Sequence, residues 1–352
     1  MKKTLFLIDT PIQMFNVLEA IKEYAIEHYD VMTLDCCRAD AYTQLMRLIM
    51  DLKPQHEIHV PKVVGSVAER ISIYAQHLPF LRQQGYERVI FSNIRQQWQR
   101  DIVCSLPGSH IVLMDEGNAT ISFYHFLFSK RIFFDFPADP DQERAMLAAK
   151  TREEFGILVK QPESLELFTI FPLRPLPWLN IRKNKMTAVS RVHLSTNQEQ
   201  VLILGAGVVE IKYLTADEYI YLLSKVKSLY PDKHIIYQPH RISSPELIEK
   251  INQSTGFEIM RLDQPAEQWL YQHPNPPATV VSLISTALST CSLCFPALDI
   301  VMLDPPERIW SKVEHTHVFN ITQCNNSQML HCAIDFLRAD QAIQCLKIKL
   351  ME

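Results

Sequence analysis

Val112-Leu113-Met114-Asp115-Glu116-Gly117-Asn118-Ala119-Thr120 runs from apolar residues directly into two carboxylates and a glycine. A buried strand that ends in acids is the layout of an open α/β sheet, in which the C-terminal strand ends open onto ligand crevices. Gly117 gives the backbone the freedom that a sharp turn or a close approach to a ligand requires. The stretch therefore places a candidate base, Asp115, at the C-terminal end of its strand, with Glu116 beside it.

The same alternation extends outward from this stretch. Apolar runs of strand length at Thr4–Ile8, Tyr29–Leu34, Glu57–Val60, Arg88–Phe91 and Ile111–Met114 are separated by helical patterns. Those patterns lie at Ile12–Glu27, Ala39–Leu52, Ser66–Gln84 with a break near Pro79, and Gln96–Leu106. This alternation is the signature of a doubly wound parallel sheet. Between Phe171 and Lys185 the text becomes rich in proline and basic residues without helical period, which reads as an interdomain linker. A second α/β unit follows, with strands at Gln200–Leu204, His234–Gln238, Glu258–Arg261, Thr279–Leu283 and Ile300–Leu303. Its helices are expected at Thr215–Leu229, Glu246–Ser254, Ala266–Tyr271, Ala287–Cys294 and Met329–Ile348, with a capping box at Thr215-Ala-Asp-Glu218. The expected domains are residues 1–185 and 186–352.

The 352 residues suit two domains of roughly 150 to 200 residues each. The 35 Lys+Arg against 39 Asp+Glu leave a net charge of -4, so no global basic field exists to hold nucleic acid. The apolar run Leu5–Ile8 is too short for a secretory signal and is interrupted by Asp9. No run approaches the roughly 20 apolar residues of a membrane span, and the default expectation is a soluble cytoplasmic protein. Eight irregularly spaced cysteines do not form a disulfide framework; Cys36-Cys37 flank a strand end. Cys291-Ser-Leu-Cys294 has the spacing of half a zinc site, but its neighbours are apolar and no second pair follows, so it reads as buried thiols on a helix.

Several polar groups fall at strand ends of the second unit. His240 and Arg241 follow the strand Ile235-Ile236-Tyr237, placing an imidazole and a permanent cation where a phosphate could be held. Ser285-Thr286 lies between a strand and a helix, and reads either as a simple N-cap or as an anion site built from hydroxyls and backbone N–H groups. Gly205-Ala-Gly207 lacks the third glycine of a dinucleotide fingerprint, Glu210 standing in its place, and the Walker pattern is absent. Asp139-Pro140-Asp141 is formally a D-x-D, but its setting favours helix capping over metal binding. His273 in an irregular loop ranks behind His240.

Taken together, Asp115-Glu116-Gly117, the Pro239-His240-Arg241 segment, Ser285-Thr286 and Thr10-Pro11-Ile12-Gln13 resemble the motifs of the bacterial sialyltransferases of glycosyltransferase family 52 and the related polysialyltransferases. That family carries a D/E-D/E-G motif, an HP motif and an S-S/T motif. Here His-Arg replaces His-Pro. The resemblance implies a GT-B type fold, two Rossmann-like lobes facing a central cleft, with a CMP-sugar-binding C-terminal domain and no metal or other cofactor. It implies a catalytic role for Asp115, Glu116 and His240, and donor contacts from Gln13, Gly117, Arg241, Glu267, Ser285 and Thr286. The implied partners are a CMP-nonulosonic acid donor and a glycan or glycolipid acceptor of a bacterial surface polysaccharide or lipooligosaccharide. Peripheral attachment at the inner face of the cytoplasmic membrane is compatible with such acceptors.

The chemistry of that reaction agrees with the residues. Transfer from a CMP-activated nonulosonic acid breaks a bond at a tertiary anomeric carbon and releases a phosphate monoester. The step needs a base for the acceptor hydroxyl and donors for the departing phosphate. Asp115 as base implies inversion by single displacement. Competing readings are an enzyme using CMP-Kdo or a UDP-sugar, a non-hydrolysing epimerase of the same fold, and a non-catalytic partner in capsule or lipopolysaccharide assembly.

Overall fold

The computed structural model describes residues 2–35, 39–134, 139–305, 307 and 325–347; Cys36 and Cys37 lie outside them. The chain forms two compact units, one ending at Ala188 and the other starting at Val189.

The first unit is a seven-stranded sheet in the order β3-β2-β1-β4-β5-β6-β7, every pairing parallel. Its strands are β1 (Lys3–Ile8), β2 (His28–Leu34), β3 (Glu57–Val60), β4 (Arg88–Phe91), β5 (His110–Met114), β6 (Leu165–Thr169) and β7 (Leu179–Lys183). Its α-helices are α1 (Gln13–Glu23), α2 (Ala39–Leu52), α3 (Val67–Ala75), α4 (Leu78–Gln84), α5 (Gln97–Cys104), α6 (Ala119–Phe126) and α7 (Gln142–Glu154). Central strands of a parallel sheet are covered on both faces, and Leu5, Phe6, Leu7 and Ile8 are accordingly all buried without remainder. One side of β1 packs with Met14 and Val17 of α1 and Leu45 and Ile49 of α2. Pro79 sits in the first turn of α4, where its missing N–H costs no helical bond, and this explains the break between α3 and α4. Asp141 caps α7 by accepting from Arg144 N, so the D-x-D is a capping turn.

Residues 171–185 depart from the expected linker. They contain β7, which pairs with β6 from Leu165↔Leu179 to Thr169↔Lys183. The three prolines precede the strand, Leu179 is fully buried, and Arg182 and Lys183 sit on an edge strand, which tolerates charge on its open side.

The second unit is a six-stranded parallel sheet in the order β10-β9-β8-β11-β12-β13. Its strands are β8 (Asn197–Leu204), β9 (His234–Gln238), β10 (Glu258–Ile259), β11 (Pro277–Ser282), β12 (Asp299–Asp304) and β13 (Gln344–Lys347). The helices are α8 (Ala216–Leu229), α9 (Pro245–Thr255), α10 (Ala266–Gln272), α11 (Thr286–Cys294) and α12 (Asn326–Ala339). The capping box at Thr215 and Glu218 is formed in both directions. Cys291 and Cys294 are fully buried in α11. The last helix ends at Ala339 rather than Ile348, because residues 344–347 add β13 to the edge of the sheet beside β12. Among the described residues, no helix is long and apolar enough to cross a membrane.

Both sheets reverse their strand order beside their first strand, between β1 and β4 in one and between β8 and β11 in the other. Those reversals are the switch points at which open α/β sheets make ligand crevices.

Candidate active site

In the first unit the ends of β1, β4 and β5 bring three carboxylates together. Asp115 follows β5 and is 6% exposed. Its Oδ2 accepts from Ile170 N at 2.7 Å, while its buried Oδ1 has no hydrogen-bond partner. Burial raises the Asp115 carboxyl to about 7, against smaller lowering effects of hydrogen bonds from Thr169, Ile170 and Thr120. The backbone around it is fixed by Asn16, whose Nδ2 donates to Asp115 O at 3.2 Å, and Asn16 is held in turn by Asn184 Nδ2 at 2.9 Å.

Glu116 is raised further, to about 8, first by burial and then by the charge of Asp9; Arg95 and a hydrogen bond from Asn93 pull it down. Asn93 Nδ2 donates to Glu116 Oε1, and the buried Oε2 has no partner. Gly117 adopts φ 61°, the left-handed region that a side chain disfavours, and Thr120 N closes the turn onto Gly117 O at 3.0 Å. The glycine thus lets the chain leave β5 and enter α6 while both carboxylates stay at the strand end.

Gln13, expected beside the donor, has its amide turned inward. Its Nε2 donates to Asp9 Oδ1 at 2.9 Å, and its Oε1 accepts from Asp9 N at 2.8 Å and Thr10 N at 3.2 Å. Only 3% of the residue is exposed. Its place is in the scaffold of the strand-end cluster. Sequence reasoning missed the other members of that scaffold, Asp9, Asn93 and Gln99. Asp9 carries the same signal as Asp115, an acid directly after a buried strand, but it was read only as the residue that interrupts the first apolar run.

In the second unit the ends of β8, β9 and β11 form a separate cluster. His240 follows β9; burial and then Arg241 lower its pKa, with Glu210 opposing, so the imidazole is neutral at pH 7. Nδ1 of His240 accepts from Ile242 N at 3.4 Å, which leaves the proton of the neutral ring on Nε2. The Gly205-Ala-Gly207 turn has a steric role. A Cβ on Gly205 would meet His240 N at 2.7 Å, and one on Gly207 would meet Ile242 Cδ1 at 2.7 Å and His240 Nδ1 at 3.0 Å. The turn is braced by Tyr219, whose hydroxyl accepts from Ala206 N at 3.0 Å. Glu210, noticed in the sequence only as a missing glycine, accepts from Ser244 N at 3.2 Å and ties this turn to the segment after His240.

Ser285 is the N-cap of α11, its Oγ accepting from Ala287 N at 3.2 Å, and Thr286 opens the helix. Glu267, 7% exposed, lies in α10 and accepts from Thr290 Oγ1 at 2.8 Å, so it holds α11 one turn beyond Thr286. Burial raises the Glu267 carboxyl. Arg241 is exposed on the loop after β9. Among the described residues, no group of three or more His, Cys, Asp or Glu side chains is placed to hold a metal ion.

Comparison with known proteins agrees with this architecture. The alpha-2,8-polysialyltransferase (POLYST) family profile matches residues 4–304. No curated protein matches the chain. Among solved structures, the S. aureus MnaA-UDP complex is similar with a TM-score of 0.50 at 12% identity, over 97% of this chain and 89% of that one. Acinetobacter baumannii MurG gives 0.46 at 9% identity, over 98% and 85%. Neisseria meningitidis UDP-GlcNAc 2-epimerase bound to UDP-GlcNAc gives 0.48 at 10% identity, over 96% and 90%. With two parallel-sheet Rossmann-like units of the GT-B type and a family match over nearly its whole length, the chain belongs to the alpha-2,8-polysialyltransferase family and is a glycosyltransferase.

Proposed function

We propose that the protein transfers sialic acid or a related nonulosonic acid from a CMP-sugar to a glycan acceptor of a bacterial surface polysaccharide or lipooligosaccharide, with inversion and without a metal. The observation that carries this reading is Asp115, a buried carboxylate at a strand end, raised to about 7, with one oxygen unpartnered. A base is most effective when its pKa lies near the working pH, and the unpartnered oxygen is the one left to accept a proton. Deprotonation of that hydroxyl by Asp115 accompanies its attack on the anomeric carbon, on the face opposite the departing CMP.

The second unit supplies what the leaving group needs. The Nε2–H of His240 donates to the phosphate, and the arriving dianion raises the imidazole pKa and so favours its protonation. Ser285 and Thr286 add hydroxyls at the N-terminus of α11, and Arg241 adds a fixed positive charge. These donors replace the charge neutralisation that a metal gives in other transferases. Gly117 shapes the loop against the donor, Glu267 contacts the ribose, and Gln13 acts through Asp9.

Titration calorimetry with CMP in EDTA, with UDP and GDP as controls and magnesium added afterwards, tests the donor. Metal-independent binding selective for CMP is expected. Preference for UDP would move the protein to a UDP-sugar reaction, and no nucleotide binding would leave only an assembly role. An assay of transfer from CMP-sialic acid to oligosialic acid or lactose-terminated glycans then tests the reaction.

A further inference from the structure

Helix α1 carries three polar side chains at spacings of three, Gln13, Asn16 and Glu19, although a helix packed on a sheet ordinarily turns an apolar face to it. Gln13 and Glu19 are each only 3% exposed. Gln13 is spent on Asp9 and Thr10. Glu19 holds the segment at which the first unit ends: its Oε1 accepts from Thr187 Oγ1 at 3.0 Å and its Oε2 from Ala188 N at 2.7 Å. The chain reaches that carboxylate through Met186, which is buried and adopts φ 52°, a left-handed conformation that a side chain disfavours. Asn184, fully buried, holds this turn, its Oδ1 accepting from Met186 N at 2.9 Å.

Asn16 stands between that turn and the loop of the base, and the polarity of the backbone at either end decides how the two amides point. A backbone N–H can only donate and a backbone carbonyl can only accept. Met186 N therefore takes Oδ1 of Asn184, which turns Nδ2 of Asn184 toward Asn16 Oδ1 at 2.9 Å. Asp115 O independently takes Nδ2 of Asn16, at 3.2 Å. The two requirements meet as donor against acceptor, so the bonds run head to tail from Met186 N to Asp115 O without a mismatched pair. Asn184 supports the other end of the base as well. Its N donates to Thr169 O at 2.7 Å, and the residue after Thr169 is Ile170, whose N donates to Asp115 Oδ2 at 2.7 Å.

We propose that Asn184 is a positioning residue for the transfer, carrying the geometry of the left-handed turn at the end of the first unit through Asn16 to the backbone of Asp115. This rests on the transfer reaction proposed above, in which Asp115 is the base. A change in the Met186 turn frees the Asn16 amide to rotate, and an amide oxygen turned toward Asp115 O would set one acceptor against another. The place of the base is thereby tied to the conformation of the chain where it leaves the unit. A base displaced by about 1 Å loses rate, while a ligand held by other groups keeps its affinity.

The experiment compares Asn184→Ser, Asn16→Ala and the double variant in the full chain. The serine hydroxyl can still accept from Met186 N, as in an ST turn, but is too short to reach Asn16, so it keeps the turn and cuts the relay. Asn184→Ser is expected to lower kcat about 10-fold, with Tm and the Kd for CMP close to wild type, because the phosphate donors proposed for CMP stand in the second unit. Asn16→Ala should lower kcat by a similar factor, and the double variant should be no slower than Asn16→Ala alone. An unchanged kcat in Asn184→Ser, losses that multiply in the double variant, or a Tm that collapses together with kcat overturns the proposal. If the wild-type protein transfers nothing from a CMP-sugar, the reaction is wrong, and amide NMR decides the relay by itself. The Asn16 side-chain amide protons, assigned by their loss in Asn16→Ala, should exchange with solvent about 10-fold faster in Asn184→Ser than in the wild type, and equal rates would show that no relay exists.

Discussion

Asp115→Asn should make the protein more stable at alkaline pH while abolishing transfer. The wild-type carboxyl ionises at about 7 in the folded protein against an ordinary value of 3.8, because burial disfavours its charged form. The folded state thus binds the extra proton across the window from 3.8 to about 7, so the stabilisation is full below that window and is lost as pH rises through it. The complete loss is about 4 kcal/mol, of which roughly 2–3 kcal/mol falls between pH 5 and pH 8. Asparagine is neutral at every pH, and its Oδ1 can still accept from Ile170 N. Comparing the two proteins also cancels the titration of the other groups. The Tm advantage of Asp115→Asn should therefore grow by roughly 5–10 °C from pH 5 to pH 8 for a unit of this size. Differential scanning fluorimetry in a pH series reads this directly. A gap that stays constant with pH would refute the raised Asp115 carboxyl, and undiminished transfer would refute its role as base.

Two further substitutions probe the second unit. His240→Ala should lower the transfer rate on the order of 10²-fold and weaken CMP binding, as loss of a general acid and phosphate donor requires; an unchanged rate would shift the role to another group such as His273. Gly207→Ala puts a methyl 2.7 Å from Ile242 Cδ1 and 3.0 Å from His240 Nδ1, so it should displace the loop after β9 and raise the Kd for CMP measured by calorimetry. Its effect on Tm should be small, since Ile242 is exposed and can move, and a wild-type Kd would show that the close approach is not used.

Much of the architecture was legible because it depends on local pattern. Buried strands such as 57–60, 88–91 and 234–238 are short apolar or alternating runs bounded by polar turns, and the sequence reading bounds them as the structure does. The capping box at Thr215 depends on residues three apart and was equally visible. Strand β7 was hidden because three prolines crowd its approach and because an edge strand has no strict polarity on its open side. The end of α12 was missed since Ile343 and Leu346 continue an apolar rhythm that serves a strand as well as a helix.

The site divides along the same line. By itself the sequence determined that acids, a glycine, a histidine and hydroxyls stand at the ends of parallel strands, because strand length and turn chemistry are encoded within a few residues. Tertiary structure alone decided that Asp9, Gln99, Asn93 and Glu116 form one network, since β1, β4 and β5 are neighbours in the sheet though their ends are 23 to 90 residues apart in pairs that hydrogen-bond. It also decided which amide faces inward, which glycine leaves room for His240, and which carboxylates are buried deeply enough to hold a proton near neutral pH. Those properties depend on what surrounds each group in space, and desolvation and Coulomb interaction act across distances that the order of residues along the chain does not record.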